Sequence, residues 1–205
     1  MKCLLVDDHA LVRDALALLI ALHHPRVDLR QAGRLRDARA LLEAEPDVDL
    51  VLLDLALPDS QGLATLHALR EAAPATRTVV LSADDRPETV LAAIDAGASG
   101  FIPKASESPL LREALASVLG GGVYVPALAA RPAEQPISAD RLGLTPRQVD
   151  VLRMLVDGGS NKLIARALEL SPSTVKSHLE AIFERLQVNS RTQAVVAAAR
   201  LGLRL

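Results

Sequence analysis

Short apolar runs and helical periodicities alternate along the first 120 residues. Lys2–Val6, Val27–Ala32, Leu50–Leu53, Thr78–Leu81 and Gly100–Ile102 read as strands. Between them apolar residues recur at the 3.6-residue period. Leu11, Ala15, Leu18, Leu19 and Leu22 fall on one face of the first helix, and Leu110, Ala114, Leu115 and Val118 repeat that arrangement in the last, as amphipathic helices packed on a core would. Five strand–helix pairs in succession, with strands of near-continuous apolar sequence, predict a five-stranded parallel sheet covered on both faces. That is the doubly wound α/β architecture.

The pattern breaks at Gly120-Gly121-Gly122 and is followed by Pro126, Pro132 and Pro136 in an Ala-rich stretch running to about Arg141, which reads as a linker. Beyond it only helical signals occur. They predict four short helices, Pro146–Asp157, Asn161–Leu168, Pro172–Leu186 and Arg191–Leu201, in a small all-α domain. Thr145 is placed as an N-cap with Pro146 at N1 and Gln148 closing a capping box, and Leu144 and Val149 are placed as a hydrophobic staple. Ser171-Pro172 and Ser190 with Gln193 repeat the start signal. The expected boundaries are 1–120, a linker over 121–141, and 142–205.

Half of the 205 residues are hydrophobic and 23% are charged, which excludes wholesale disorder. The net charge of −2 hides an asymmetry: residues 1–125 carry 12 Lys and Arg against 18 Asp and Glu, and residues 126–205 carry 11 against 7. An acidic, metal-friendly module tethered to a nucleic-acid-binding module would show this split. No apolar run reaches the length of a membrane span and no signal-peptide pattern opens the chain, so a soluble, cytoplasmic protein without membrane attachment is expected. The lone Cys3 excludes an internal disulfide and reads as a buried strand thiol.

In an open parallel sheet, ligands bind beyond the carboxyl ends of the strands. Asp7 and Asp8 close the first strand, Asp54 the third and Ser82 the fourth, while Lys104 stands just past the fifth. With the first and third strands adjacent, three carboxylates meet, and two like charges about 4 Å apart repel by roughly 4 kcal/mol at an effective dielectric near 20. A hard divalent cation such as Mg²⁺ relieves this and leaves room for a phosphate oxygen. Lys104 and the Ser82 hydroxyl supply a point charge and a donor for the remaining oxygens of a phosphoryl group, so the cluster suits an aspartate that becomes phosphorylated. His9 has no partner His or Cys at ligand spacing and reads as a helix-start residue. His23-His24 reads as an exposed helix end, and no Gly-rich phosphate loop or Ser-His-Asp arrangement is present.

Through "LLVDDH", "LVLLDLALPDSQG", "VVLSA" and "GASGFIPKAS" the first half resembles the receiver domain of two-component response regulators. The resemblance implies that Asp54 is the phosphoacceptor, Asp8 a direct Mg²⁺ ligand, Asp7 a water-mediated one, and the backbone carbonyl of Ala56 a further ligand. It makes Ser82 and Phe101 the switch pair, with a histidine kinase as phosphate donor.

In the basic half, Asn161–Leu168 and Pro172–Leu186 are joined by Glu169-Leu170-Ser171, the spacing of a helix-turn-helix. Val175, Leu179, Ile182 and Leu186 mark a core face, and Ser173, Lys176, Ser177, Glu180 and Glu184 a polar one. Such a face can enter a major groove, and an ordinary solvated amphipathic helix would show the same pattern. The segment resembles the LuxR-type helix-turn-helix through "LTPR", "SNKLIAR", "STVKSHL" and "SRTQAV", so that nearly the whole chain resembles a NarL/FixJ-type response regulator. The resemblance implies a transcription regulator, not an enzyme, that binds double-stranded DNA as a homodimer once phosphorylated. Asn161 and Lys162 would approach phosphates, Lys176 would be the principal groove residue flanked by Ser173, Thr174, Ser177 and Glu180, and His178 and Arg191 would assist at the backbone. Residues 190–201 would form the dimerising helix. Two positions depart from the family pattern: Gln148 where Glu is usual, and Glu180 where a small polar or basic residue is usual.

Overall fold

The structure, a computed structural model, describes residues 1–126 and 142–202, so the expected linker lies outside the described residues from position 127 on. The chain divides into two compact units, one of Met1–Asp85 with Thr89–Ala116, the other of Arg86–Glu88 with the chain from Ser117 on.

In the first unit, strands β1 (Lys2–Val6), β2 (Asp28–Ala32), β3 (Leu50–Asp54), β6 (Arg77–Ser82) and β7 (Gly100–Pro103) form a five-stranded sheet of order β2-β1-β3-β6-β7. Every pairing in it is parallel. The intervening elements are α1 (Ala10–His23), α2 (Leu35–Ala44), a two-residue pair β4 (Ala56–Leu57) and β5 (Ser60–Gln61), α3 (Leu63–Ala72), α4 (Pro87–Asp95) and α5 (Ser108–Leu119). β1 and β3, which lie side by side, are almost wholly buried, because each sheet face carries helices and both sets of alternating side chains leave water. The order reverses at β1 and β3, which puts a crevice at their carboxyl ends.

The face assigned to α1 is corrected by the structure. Leu11, Leu18 and Leu22 are 83%, 70% and 69% exposed, whereas Leu16 and Ile20 are buried. The segment ALVRDALALLIALH carries two apolar stripes, so periodicity alone does not select between them. The observed rotation lets Arg13 reach back to donate to the Asp7 carbonyl at 2.6 Å. In α5, Ala114, Leu115 and Val118 are buried as expected, but Leu110, in the first turn, is 44% exposed.

The second unit contains α6 (Pro146–Val156), α7 (Asn161–Ala167), α8 (Pro172–Leu186) and α9 (Arg191–Arg200). Val151, Leu152, Leu155, Ile164, Val175 and Ile182 form the centre of its core, with Leu144 inside it and Val149 packed against it. The Thr145–Gln148 capping box is present, and Ser160, Ser171 and Ser190 each accept a backbone N–H of the following first turn. Each such cap contributes on the order of 1 kcal/mol. Gln193 does not close a box on Ser190; its side chain accepts from Asn189 N at 2.9 Å. Glu169 turns the chain between α7 and α8 at φ 54, a left-handed conformation usually left to glycine.

Candidate functional site

β1 ends one residue before Asp7, and β3 ends on Asp54; their parallel register, Val6 beside Leu53, carries the two carboxylates to the same sheet edge. Both are buried. Two strands away β7 delivers Lys104, whose Nζ lies 2.7 Å from Asp7 Oδ2 and 2.7 Å from Asp54 Oδ2. The remaining oxygens are held locally: Asp7 Oδ1 accepts from His9 N at 2.9 Å, and Asp54 Oδ1 from Ala56 N at 3.2 Å. Burial works against the Lys104 ammonium, and its close contacts with the charged Asp54 and Asp7 outweigh that cost, so its pKa stands above the ordinary lysine value.

Asp8 is more open, and its Oδ1 lies 2.7 Å from His9 Nδ1. His9 occupies the N-cap position of α1, the helix-start place expected for it, without a side-chain cap bond. It nevertheless joins the cluster, because ligand atoms of Asp7, Asp8, His9 and Asp54 all lie within 4.8 Å of one another. The donor set suits a hard divalent cation. Asp7 Oδ2 strengthens the fit: it is buried, faces Lys104 as an ion pair, and receives no aligned hydrogen bond. An oxygen in that position has lone-pair capacity left for a cation or its bound water.

Ser82 closes β6 beside the cluster, and its Oγ accepts from Asp84 N at 3.1 Å. Asp84 in turn accepts from Thr89 Oγ1 at 2.9 Å, which links the loop to α4. Phe101, paired in register with Val80, is completely buried. Arg13 was not anticipated. Its partner is a backbone carbonyl, so no complementary residue type in the sequence announces it.

In the second unit α8 presents Ser173, Thr174, Lys176, Ser177 and Glu180 to solvent, while His178 is half-buried. Val175, Leu179 and Ile182 hold the opposite face in the core. Near the N-terminus of α8, Ser171 Oγ is bonded to Ser173 Oγ at 2.7 Å and to Thr174 Oγ1 at 2.8 Å. Glu180 Oε1 lies 3.9 Å from Lys176 Nζ, one turn away, so the lysine is its ion-pair neighbour. Lys162 is exposed at the start of α7. Arg191 donates through Nη1 to Asn161 Oδ1 at 2.6 Å and through Nη2 to the Gly159 carbonyl, which pins the beginning of α9 to the beginning of α7. The two residues thus hold one another, and both are half-buried.

Among the described residues no helix is long and apolar enough to cross a membrane. Residues 3–116 match the response regulator receiver domain, and residues 142–198 match the bacterial regulatory proteins of the luxR family. The glycerol metabolism activator of Pseudomonas putida is 36% identical over 208 residues, covering 96% of this chain and 94% of that protein. The nitrate/nitrite response regulator protein NarL of Escherichia coli K12 is 35% identical over 200 residues, covering 94% of this chain and 92% of that protein. RcsB from Salmonella enterica serovar Typhimurium, in a structure bound to promoter rprA in the presence of the phosphomimetic BeF3-, shares the fold with a TM-score of 0.54, covering 98% of this chain and 99% of that one. At 20% identity that likeness bears on the fold alone.

Proposed function

The chain belongs to the two-component transcriptional response regulators that join a receiver domain to a LuxR-type DNA-binding domain, and on that premise we propose that Asp54 is the residue through which it is switched. Regulators of this family bind DNA and are not enzymes. The observation that carries the proposal is the Lys104 ammonium held 2.7 Å from both Asp54 and Asp7 at the carboxyl edge of β3 and β1.

A partner histidine kinase presents a phosphohistidine; an Asp54 carboxylate oxygen bonds the phosphorus as the P–N bond breaks, and the departing imidazole takes a proton. Asp8, Asp54 and the Ala56 carbonyl, with Asp7 through water, would hold Mg²⁺, which would supply the positive charge that an anionic carboxylate needs beside an anionic phosphoryl group. Lys104 bonds one phosphoryl oxygen. Ser82 donates its hydroxyl to another, with Phe101 as the second member of the switch pair.

The receiver is assigned to residues 1–120 and the DNA-binding domain to 142–205, with 121–141 between them. Phosphorylation brings two copies together, in part through residues 190–201, and α8 of each enters a major groove of double-stranded DNA. There Lys176 is the principal contact among Ser173, Thr174, Ser177 and Glu180, with Asn161, Lys162, His178 and Arg191 toward the backbone. A DNA-binding regulator fed by a kinase acts in the cytoplasm.

Intact-mass analysis of the full chain with a small phosphodonor tests this reading. One added phosphate is expected in the presence of Mg²⁺, lost with chelator and in Asp54→Ala, together with tighter DNA binding by the phosphorylated wild type. A persistent adduct in Asp54→Ala would refute the assignment.

A further inference from the structure

Helix α2 has no cap of its own. The residue before its first turn is Arg34, whose side chain makes no capping bond, as a guanidinium without acceptors cannot. Two of the N–H groups left over are met from a distant segment: Asp59 Oδ1 accepts from Leu35 N at 2.9 Å, and Asp59 Oδ2 from Arg36 N at 3.0 Å. Asp59 lies at the tip of the β4–β5 hairpin, between paired Leu57 and Ser60. Its slight burial disfavours the charged form, but the backbone bonds from Arg36 and Leu35 prevail and hold its carboxyl below the usual carboxylate range.

The base of the same hairpin is fastened separately. Gly62 N donates to the Leu55 carbonyl at 2.8 Å, with Gly62 at a φ of +62 that favours glycine, and Thr65 Oγ1 bonds Ser60 Oγ at 2.8 Å. Ala56, whose N–H donates to Asp54 Oδ1, sits between the two anchors. Strands of two residues have little stability of their own, so the orientation of the Ala56 peptide depends on both ends being held.

We propose that Asp59 is a positioning residue for the divalent cation: by clamping the hairpin tip to the first turn of α2, it keeps the Ala56 carbonyl at the edge of the acidic cluster. The proposal rests on the Mg²⁺ reading of that cluster. It separates two jobs for one carboxylate, capping α2 and holding the hairpin, and only the second touches the cation.

The separation is testable because α2 can be given a local cap. Mg²⁺ binding to the full chain is measured by calorimetry, alongside thermal melts, for wild type, Asp59→Ala, Asp59→Asn and the double variant Asp59→Ala/Arg34→Ser. Outer partners of metal ligands change affinity on the order of tenfold or more, so Asp59→Ala should bind Mg²⁺ about tenfold more weakly and melt lower. Adding Arg34→Ser should restore the melting temperature and leave Mg²⁺ binding weak. Asp59→Asn, which drops the charge but keeps one acceptor, should fall between wild type and Asp59→Ala, whereas a purely electrostatic role would make it as weak as Ala. Recovery of both properties in the double variant, or wild-type affinity in Asp59→Ala, overturns the proposal. Should Asp59→Ala fail to fold, Asp59→Asn carries the comparison, and wild-type affinity there is equally fatal. Asp8→Asn serves as the control for the site: if it binds Mg²⁺ as wild type does, or if wild type binds none, the reading of the cluster fails and the clamp with it.

Discussion

Replacing Lys104 by Met tests how the acidic edge is neutralised. The substitution keeps most of the aliphatic stem and removes the charge that lies 2.7 Å from both Asp7 and Asp54. With carboxylate oxygens no more than 4.8 Å apart, the uncovered repulsion is at least about 3.5 kcal/mol at an effective dielectric of 20. Removing one partner of a buried ion pair costs about 3–5 kcal/mol; the Lys104 side chain is 16% exposed, so water repairs part of the loss and about 3 kcal/mol is expected. Native-state hydrogen exchange of the slowest amides of β3 and β6 reads the stability of this unit without interference from the other, and it should quicken roughly a hundredfold. Mg²⁺ should restore much of the loss, and should stabilise Lys104→Met more than wild type, because in the variant it replaces a missing cation instead of joining one already present. The folded pKa of Lys104 is raised, so its contribution is fully present below the unfolded pKa and disappears only as pH rises through the folded one. The difference between the two proteins should therefore be flat through the neutral range and shrink in alkali. A loss below about 1 kcal/mol, the range of an exposed surface pair, or equal Mg²⁺ responses would refute this account of the site.

Cys3 is buried and its thiol is pushed up to about 12, by burial first and by the charge of Asp49 second. Thiol reagents near pH 8 should label it only as fast as the sheet opens; labelling at the rate of an exposed cysteine would contradict its placement. Glu180→Ser should raise affinity for random DNA and flatten base preference at one position of each half-site by about fivefold, the low end of the roughly 1–3 kcal/mol that a side-chain-to-base match is worth. The Lys176 contact at 3.9 Å, between two exposed side chains, is too weak to hold Glu180 out of a groove. Binding to a randomised oligonucleotide pool at fixed salt decides the matter, and an unchanged preference would show that Glu180 reads nothing.

The strands were legible because parallel buried strands are continuous apolar runs: β1 is Lys2–Val6 as expected, and β2 begins at Asp28, one residue from the expected Val27. The acidic site followed from them, since strand ends in this topology must converge on one edge, and Asp7, Asp54, Ser82 and Lys104 occupy those ends. Illegibility had distinct physical sources. A helix that is apolar on two stripes hides which one faces the sheet, which is how Leu11, Leu18 and Leu22 came to be misplaced. The β4–β5 pair is too short to show a period. The bonds of Asp59 to Leu35 and Arg36, of Arg13 to the Asp7 carbonyl and of Arg191 to Gly159 all end on backbone groups, which every residue possesses and no sequence pattern marks.

A phosphoryl group on Asp54 would confront a hydrogen-bond inventory that is already committed. It carries about −2 charge and three acceptor oxygens where a carboxylate carried −1. Lys104 is shared between Asp7 and Asp54, so drawing it to a phosphoryl oxygen weakens its hold on Asp7. The next donor within the site is the Ser82 hydroxyl, and its oxygen now accepts from Asp84 N, whose side chain accepts in turn from Thr89 at the first turn of α4. Recruiting Ser82 therefore tugs on a chain of bonds that ends on a helix. Phe101 is completely buried before any phosphate arrives, so as the second member of the switch pair it would answer the Ser82 movement by repacking within the core and not by leaving an exposed position. These bonds offer the charge a route along the loop from Ser82 to Thr89, and an Asp84 amide left unshifted in the phosphorylated chain would contradict its use.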